Sequence, residues 1–314
     1  MDQESRLISE RREREFENSI AHRYSRDYHE APIMASHARD FVEYVASKIK
    51  AGDRVLDLGC ASAPLWQLFR ELFPDNVTLV GVDLSPEMLA IARKTFPDGD
   101  FREGSFLNIP SDPGEFDVVI VSSAFHHIND RYLPEALKAI ARVLDEHGML
   151  VGREPLIARR LADRGGWFAG ALMHLRHLAY RLTHTREYSE PDPGPDHHAY
   201  MAEDFLTEIS KLLTVVDVEF RNPASLFLAR SRNPTVAAIA KHLDEKIDHR
   251  GGQELHYVAR KNFSTSEDVQ FCVSQALLEN EISKADIQDF MLHVVAAAKL
   301  IEDKIESEEK KWKL

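Results

Sequence analysis

The sequence predicts an α/β fold in which helices cover both faces of a doubly wound, mostly parallel sheet of seven strands. Short runs rich in Val, Ile and Leu, such as RVLDLG and FDVVIVSS, alternate with amphipathic segments. Continuous apolar runs separated by helices are typical of a parallel sheet that is buried on both sides. Helix-start signals follow the strands: Ser85-Pro86-Glu87 offers an N-cap, a proline at the first helical position and an acid in the first turn.

The individual elements follow from the same alternation. The expected strands, in chain order, are RVLDLG, VTLVGVDL, DFREGSF, FDVVIVSS, MLVGREP, VVDVEFR and ELHYVARK. Helices are expected from about Pro64, from Ser85, over 133–144 and over 202–213. The last strand, residues 254–261, is expected to run antiparallel at or near an edge of the sheet.

Three further segments define the expected domain boundaries. Residues 1–50 are interpreted as an N-terminal helical lid, in which Phe16, Ile20, Tyr24 and Tyr28 recur every four positions and share one face. Residues 51–263 form the sheet domain, and residues 155–200 are a substrate cap inserted over its carboxyl edge. Residues 264–314 are a helical extension with an apolar stripe, which predicts packing against the domain or a homodimer through the C-terminal helices.

Composition argues against several classes of protein. The formal net charge of −13 argues against a nucleic-acid binder, because affinity for phosphate backbones comes mainly from clustered Lys and Arg. With only Cys60 and Cys272, neither a disulfide framework nor a cysteine zinc site is expected. The charged opening sequence does not resemble a signal peptide, and the apolar stretch 167–182 is too short and too polar to span a bilayer. We therefore expect a cytoplasmic protein without an integral membrane segment.

The strongest functional signal is the segment VLDLGCASA, residues 55–63, followed by Asp83 at the end of the next strand. A tight turn of small residues lets the backbone approach a ligand at the carboxyl edge of the sheet. An acid that ends the neighbouring strand can accept hydrogen bonds from both hydroxyls of a ribose. The dinucleotide fingerprint G-x-G-x-x-G is absent, and Asp57, two positions before Gly59, favours a different cofactor. Asp57 could instead fix the turn by accepting hydrogen bonds from backbone amides.

At these residues the chain resembles the class I S-adenosylmethionine-dependent methyltransferases, which have a Rossmann-like fold. VLDLG resembles their glycine-rich first motif, VGVDLS the second, and FREGSF the segment beside the adenine. FDVVIVSSAFHHI, followed by IARVLDEHGMLVGREP, resembles the fourth strand, helix and fifth strand of the branch that methylates small molecules. The resemblance covers roughly residues 10–263. It implies S-adenosyl-L-methionine as the cofactor and S-adenosyl-L-homocysteine as its product.

The resemblance also implies which residues hold the cofactor. On the lid it is Tyr24, which with Tyr28 could close over the site. At the first turn they are Asp57, Gly59, Cys60 and Ala61, and after the second strand Asp83, Leu84 and Met88. Ser105 and Phe106 are expected beside the base, and Ser122 after the fourth strand. The chain departs from the family at Ala61 and Ala63, where glycine is usual; alanine still allows close approach if φ stays negative. It also has Ser105 where many relatives have an acid for the adenine amino group, and a hydroxyl accepts a hydrogen bond more weakly than a carboxylate.

Three residues at the same edge are candidates for catalysis. His126 and His127 follow the fourth strand, and one of them could be the general base for an acceptor hydroxyl, since imidazole titrates near neutral pH. Packing and loop hydrogen bonding are the alternative roles of this pair. Glu154 ends the fifth strand on the same edge and could contact the acceptor. No metal site is expected, because nothing in the sequence ties together its other histidines.

The expected reaction is direct displacement, in which O, N or C of a small acceptor, one with an apolar part, attacks the activated methyl group. The protein then mainly supplies proximity, orientation and desolvation. Two alternatives stay open at this point. The altered glycine turn is compatible with the same fold carrying out cyclisation or pericyclic chemistry. The helical tail is compatible with a non-catalytic assembly partner that retains the fold.

Overall fold

The computed structural model describes residues 3–30, 32–157, 200–221 and 254–264, together with the single residues Gln270, Val273, Ala276 and Lys299. Within these ranges the side chains of residues 3, 27–37, 156 and 157 are not described, and these include Tyr28. Most of the expected cap, with its amphipathic stretch 167–182, lies outside the described residues. So does almost all of the expected helical extension 264–314.

Eight strands are described. They are β1 (Arg54–Leu58), β2 (Thr78–Asp83), β3 (Asp100–Glu103), β4 (Phe116–Ser122), β5 (Leu144–Ile157), β6 (Tyr200–Met201), β7 (Thr214–Arg221) and β8 (Glu254–Arg260). The described helices are α1 (Gln3–Glu30), α2 (Pro32–Ala46), α3 (Trp66–Leu72), α4 (Pro86–Thr95), α5 (Leu133–Val143) and α6 (Ala202–Ser210). All seven expected strands are present, and β6 is a two-residue addition.

The sheet has the order β3-β2-β1-β4-β5-β8-β7, and the short β6 pairs with the end of β5. Neighbours from β3 to β5 are parallel, whereas β8 is antiparallel to both β5 and β7. The expected mostly parallel sheet with an antiparallel last strand is therefore confirmed. That strand lies second from the edge, because β7 occupies the edge itself.

Helix α5 shows how the sequence pattern becomes packing. Its buried residues Leu133, Ala136, Leu137, Ile140 and Val143 recur at intervals of three and four and join the core. Each fully buried Leu or Ile side chain contributes about 1.5–3 kcal/mol. Helix α6 shares this core cluster, and α2, α3 and α4 supply a second one. With both faces covered, the loops after β1, β2, β4 and β5 emerge at one carboxyl edge, where open α/β sheets bind ligands.

Helix α1 lies along this edge. Asn18 Oδ1 accepts a hydrogen bond from Ser85 Oγ at 2.7 Å, directly after β2. Arg14 Nη1 lies 3.1 Å from Glu103 Oε1 at the end of β3. None of the described helices is long and apolar enough to cross a membrane. The N-terminal helix thus approaches the loops in which the sequence predicts a cofactor.

Candidate cofactor and active site

Gly59 shapes the turn after β1. Its φ is +79°, a left-handed conformation that glycine adopts without steric cost. The amides of Gly59 and Cys60 donate to the Val82 carbonyl at 2.8 and 3.1 Å, which ties the turn to β2. A Cβ at position 59 would lie 2.9 Å from the Cβ of Ala124. Any side chain here would therefore displace the loop that follows β4.

The two alanines of this turn correct one expectation. Ala61 and Ala63 have φ angles of +46° and +60°, so φ does not stay negative. Their backbone keeps the left-handed conformation that glycine usually provides, which costs an alanine roughly 1–2 kcal/mol. Hydrogen bonds offset this cost: the Ala61 amide donates to Asp83 Oδ2 and the Ala63 amide to the Cys60 carbonyl, both at 2.8 Å. The turn therefore keeps its shape despite the added methyl groups.

Asp83 ends β2 with both carboxylate oxygens held by backbone amides. Oδ2 accepts from the Ala61 amide and Oδ1 from the Ser85 amide, each at 2.8 Å. Burial raises the pKa of Asp83, whereas its hydrogen bonds from backbone amides act in the opposite direction. A carboxylate has about four lone-pair sites, so two remain for the hydroxyls of a ligand. Asp83 is thus a fixed acceptor beside the Gly59 turn.

Asp57 is buried and accepts a hydrogen bond from Trp66 Nε1 at 2.9 Å. Burial raises the pKa of Asp57 to about 7, although the bond from Trp66 lowers it. The Trp66 ring in turn stacks on Phe101, with 4.2 Å between ring centroids. Asp57 therefore anchors the start of α3 to the end of β1, a role that neither interpretation of the sequence included.

A cavity of about 360 Å³ lies between α1 and the loops after β2 and β3. The loops contribute Leu84, Gly104, Ser105 and Asn108, and α1 contributes Arg6, Leu7, Glu10 and Arg14. The resemblance implies an adenine beside Ser105 and Phe106 and a cofactor contact at Leu84; Ser105 and Leu84 line this cavity, which is therefore the candidate adenine pocket.

Ser105 does not present a free hydroxyl to this cavity. Its Oγ donates to Glu10 Oε1 and accepts from the amides of Leu107 and Asn108 at 3.2 and 3.1 Å. A serine hydroxyl has one hydrogen to donate and two lone pairs. All three are in use, so the expectation that Ser105 itself receives the adenine amino group does not fit the structure.

The Cys60 and Met88 side chains turn into the core. Cys60 Sγ would lie 2.9 Å from a Cβ at Gly81, and burial raises the pKa of its thiol. Met88 is fully buried, and its amide donates to Ser85 Oγ at 3.1 Å, which is the predicted N-cap of α4. Cys60 can therefore meet a cofactor only through its backbone.

The other predicted cofactor residues lie around the same edge. The Phe106 ring packs against Phe125, with 5.1 Å between ring centroids, and lies beside Gly59. Ser122 Oγ accepts from Arg153 Nε at 2.9 Å. Tyr24 is half-buried on α1. No contact that places Tyr24 against a cofactor is established, so its role stays a prediction.

His126 and Glu154 form a buried pair beneath the loop after β4. His126 Nδ1 lies 2.8 Å from Glu154 Oε2, and Glu154 Oε1 accepts from the amides of Ala124 and Phe125, each at 2.9 Å. Glu154 is fully buried. Tyr200 supports the same loop, because its hydroxyl lies 3.2 Å from the Phe125 carbonyl. This geometry fixes the loop and leaves Glu154 no exposed surface for an acceptor.

His127 points away from this pair toward α1. Its Nδ1 lies 3.0 Å from Glu13 Oε1. Glu17 is also close: a ring nitrogen of His127 and one carboxylate oxygen each of Glu13 and Glu17 all lie within 4.8 Å of one another. Burial lowers the pKa of His127, but the hydrogen bond and charge of Glu13, together with Glu17, outweigh it, and the net shift is upward. Burial raises the pKa of Glu17 to about 7, helped by the charges of Asp83 and Glu13. Of the two histidines, His127 is the one that faces the cofactor edge.

Glu10, Glu13 and Glu17 were not among the predicted site residues. They lie three and four residues apart on α1, and Glu13 is buried to 9% exposure whereas Phe16 and Ile20 are half-buried. The face of α1 that meets the site therefore carries acids. The sequence had suggested only the apolar stripe on this helix. The spacing 10, 13, 17 was the available signal, since it places the three carboxylates on one helix face.

The strand order with an antiparallel β8, the Gly59 turn after β1 and an acid ending β2 match the fold and first motifs of the class I S-adenosylmethionine-dependent methyltransferases that the sequence resembles. The resemblance found in the sequence is thereby confirmed. The family model described as a methyltransferase domain matches residues 55–148. This segment includes the Gly59 turn, Asp83, Ser105 and both histidines.

Curated relatives match the same part of the chain. An uncharacterized methyltransferase of Oceanobacillus iheyensis is 31% identical over 99 residues, which are 32% of this chain and 45% of the relative. The demethylmenaquinone methyltransferase of Chlorobaculum tepidum is 38% identical over 106 residues, 34% of this chain and 42% of the relative. The chain thus spans less than half the length of these relatives.

Solved structures extend the likeness of the fold. A methyltransferase in complex with the Haloferax volcanii Trm112 activator has a TM-score of 0.53 at 18% identity, covering 79% of this chain and 98% of that one. Geranyl diphosphate C-methyltransferase from Streptomyces coelicolor has a TM-score of 0.50 at 13% identity, covering 73% and 76%. At these identities the likeness concerns the fold.

Proposed function

We propose that the protein transfers a methyl group from S-adenosylmethionine to a small-molecule acceptor with an apolar part. The observation that carries the proposal is Asp83, fixed by the amides of Ala61 and Ser85 directly beside the Gly59 turn. The name of the demethylmenaquinone methyltransferase, 38% identical over part of its length, supports an acceptor of this class.

The residues present fit this cofactor. The Asp83 carboxylate keeps acceptor capacity for the ribose hydroxyls, and the Gly59 turn keeps backbone close to the edge. The cavity beside Leu84 and Ser105 offers room for the base. Glu13 adds a carboxylate beside His127, on the side of the edge that Asp83 and Glu17 share, where a cationic ligand would be stabilised.

Bound S-adenosylmethionine supplies a methyl group whose bond to sulfur breaks, with the electron pair left on sulfur, as a nucleophilic atom of the acceptor bonds to the methyl carbon. His127 takes up the proton that a hydroxyl acceptor loses. Glu13 stabilises the resulting imidazolium, because its carboxylate lies 3.0 Å from His127 Nδ1. His126 and Glu154 position the loop that carries His127, and they act on the acceptor only through it.

Calorimetry tests the binding step. The protein is expected to bind S-adenosylmethionine and S-adenosylhomocysteine. Asp83→Ala is expected to lose roughly 2–4 kcal/mol of that affinity, since hydrogen bonds to charged groups are the strong ones. Asp98→Ala is the matched control, because the Asp98 side chain is 72% exposed and pairs with Arg70 at 2.9 Å. A folded protein that binds neither ligand would overturn the proposal.

Turnover tests the chemistry. S-adenosylhomocysteine is expected to accumulate when the protein and S-adenosylmethionine are incubated with a panel of quinols, phenols and amines. Binding followed by conversion of an acceptor without release of S-adenosylhomocysteine would instead support cyclisation or pericyclic chemistry on the same fold.

A further inference from the structure

The N-terminal helix contributes a carboxylate to the candidate adenine pocket. Glu10 lies on α1, and its Oε1 accepts the hydrogen bond from Ser105. Its other oxygen faces Arg6, whose Nε lies 3.8 Å from Oε2. Two partners, one on each side, thus hold the Glu10 side chain at the wall of the cavity, where it is mostly buried, with 21% of its side chain exposed.

Ser105 cannot receive the amino group of a bound adenine, because its donor and both lone pairs are already engaged. Glu10 has capacity left. One of its roughly four lone-pair sites accepts from Ser105, and Arg6 takes up at most part of the remainder. Two acids line this cavity: Glu103 at the end of β3 is paired with Arg14 at 3.1 Å, whereas Glu10 on α1 is the one bonded to Ser105.

We propose that Glu10 is the residue that recognises the adenine amino group, so that α1 completes the base pocket from outside the sheet. Leu7 lies one helical turn before Glu10, is 56% exposed and lines the same cavity as Leu84. An adenine ring bound in this cavity would cover part of the exposed Leu7 side chain. Recognition of the base is thus coupled to the position of α1.

This inference rests on the proposed cofactor, and it makes a prediction about specificity. The 6-amino group of adenine donates hydrogen bonds, whereas the 6-oxo group of hypoxanthine only accepts them. A carboxylate favours the first and repels the second. A hydrogen bond to a charged group changes affinity by roughly 10- to 100-fold, so the protein is expected to prefer S-adenosylhomocysteine over S-inosylhomocysteine by that ratio.

The test is calorimetry of the full-length protein with these two ligands. Glu10→Gln is expected to bring the two dissociation constants close together, because an amide can accept from an amino group and donate to an oxo group. Glu10→Ala is expected to lose affinity for the adenosyl ligand and to retain that for the inosyl ligand. Since alanine also removes the contact between α1 and Ser105, the near-isosteric Gln variant carries the test.

Glu15→Gln is the matched control, because Glu15 lies on the same helix, is 65% exposed and pairs with Arg11. It is expected to leave the ratio of the two constants unchanged. If the wild-type protein discriminates and Glu10→Gln keeps the full ratio, Glu10 does not recognise the base, and the proposed function stands without it. If the folded wild-type protein binds neither ligand, the proposed function fails and the inference fails with it.

Discussion

The Nδ1 atom of His127 lies 3.0 Å from Oε1 of Glu13. This ion pair joins the loop after β4 to the N-terminal helix at the edge where the cofactor is expected. The neighbouring His126 pairs with Glu154 inside the domain. Two adjacent histidines whose ring centroids are 4.3 Å apart therefore have different carboxylate partners, and that of His127 lies on α1.

The first prediction concerns the rate and its pH dependence for a hydroxyl acceptor. His127→Gln is expected to lower kcat roughly 10²- to 10⁴-fold, the usual contribution of a general base. Because the pKa of His127 is raised above its ordinary value, kcat in the wild-type protein should rise with pH through a point above about 6.5. Glu13→Gln removes the partner that raises this pKa, so the rising limb should move to lower pH.

The measurement is kcat from about pH 5 to 9, a range that spans histidine titration. His147→Gln is the control, because His147 is an exposed residue near the start of β5. A Glu13→Gln profile that coincides with the wild-type profile would remove His127 from the role of base, and catalysis would then be positional.

A second prediction concerns stability and follows from Glu17. Burial raises the pKa of Glu17 from 4.5 to about 7 in the folded protein. Between these values the unfolded chain is ionised while the folded protein holds the proton, so the contribution of Glu17 to stability is lost as pH rises through this window. Glu17→Gln does not titrate in this window. Its free energy of unfolding minus that of the wild type should therefore increase from about pH 5 to about pH 8.

Denaturant unfolding at the two pH values measures this gain. For the control Glu15→Gln, the free energy of unfolding relative to the wild type should be the same at both pH values, since Glu15 is 65% exposed. If Glu17→Gln and the wild type keep a constant difference across the window, Glu17 is not buried in a proton-holding environment.

The sheet could be predicted from sequence because its signals are local. The apolar runs, the Ser85 N-cap and the acid at Asp83 each lie within one element, and periodicity identifies the elements. The last strand was expected to be antiparallel at or near an edge, and β8 is antiparallel to both of its neighbours. The backbone of the glycine turn could not be predicted in the same way, because Ala61 and Ala63 take positive φ under constraints from Asp83 and the Cys60 carbonyl.

The walls of the site could not be predicted because they depend on contacts between distant residues. Glu10 and Ser105 are 95 positions apart in sequence. The spacing of Glu10, Glu13 and Glu17 places them on one face of α1, but which face meets the site is decided only by how the helix lies on the sheet edge. The same holds for Glu154, whose position at a strand end suggested contact with the acceptor and whose oxygens instead bind two amides and His126.

The third prediction separates these two roles of Glu154. Glu154→Gln replaces one carboxylate oxygen with an NH₂ group, which donates hydrogen bonds and does not accept them. Either the amides of Ala124 and Phe125 or His126 then lose their acceptor. A buried group left unsatisfied costs about 1–3 kcal/mol, and the free energy of unfolding should fall by that amount. Glu146→Gln, at an exposed position near the start of β5, should change it little. Unchanged stability with a large rise in KM for the acceptor would return Glu154 to the binding site.

The last prediction concerns the left-handed alanine at position 61. Relief of its strain is worth roughly 1–2 kcal/mol, and the extra freedom of glycine in the unfolded chain offsets about 0.4–1 kcal/mol of that. Ala61→Gly should therefore raise the free energy of unfolding, by up to about 1.6 kcal/mol. Ala139→Gly is the matched control, because Ala139 is half-buried within α5, where glycine costs about 1 kcal/mol. Denaturant unfolding should thus shift the two variants in opposite directions. Equal losses in both would mean that Ala61 does not hold the positive φ on which the shape of the cofactor turn depends.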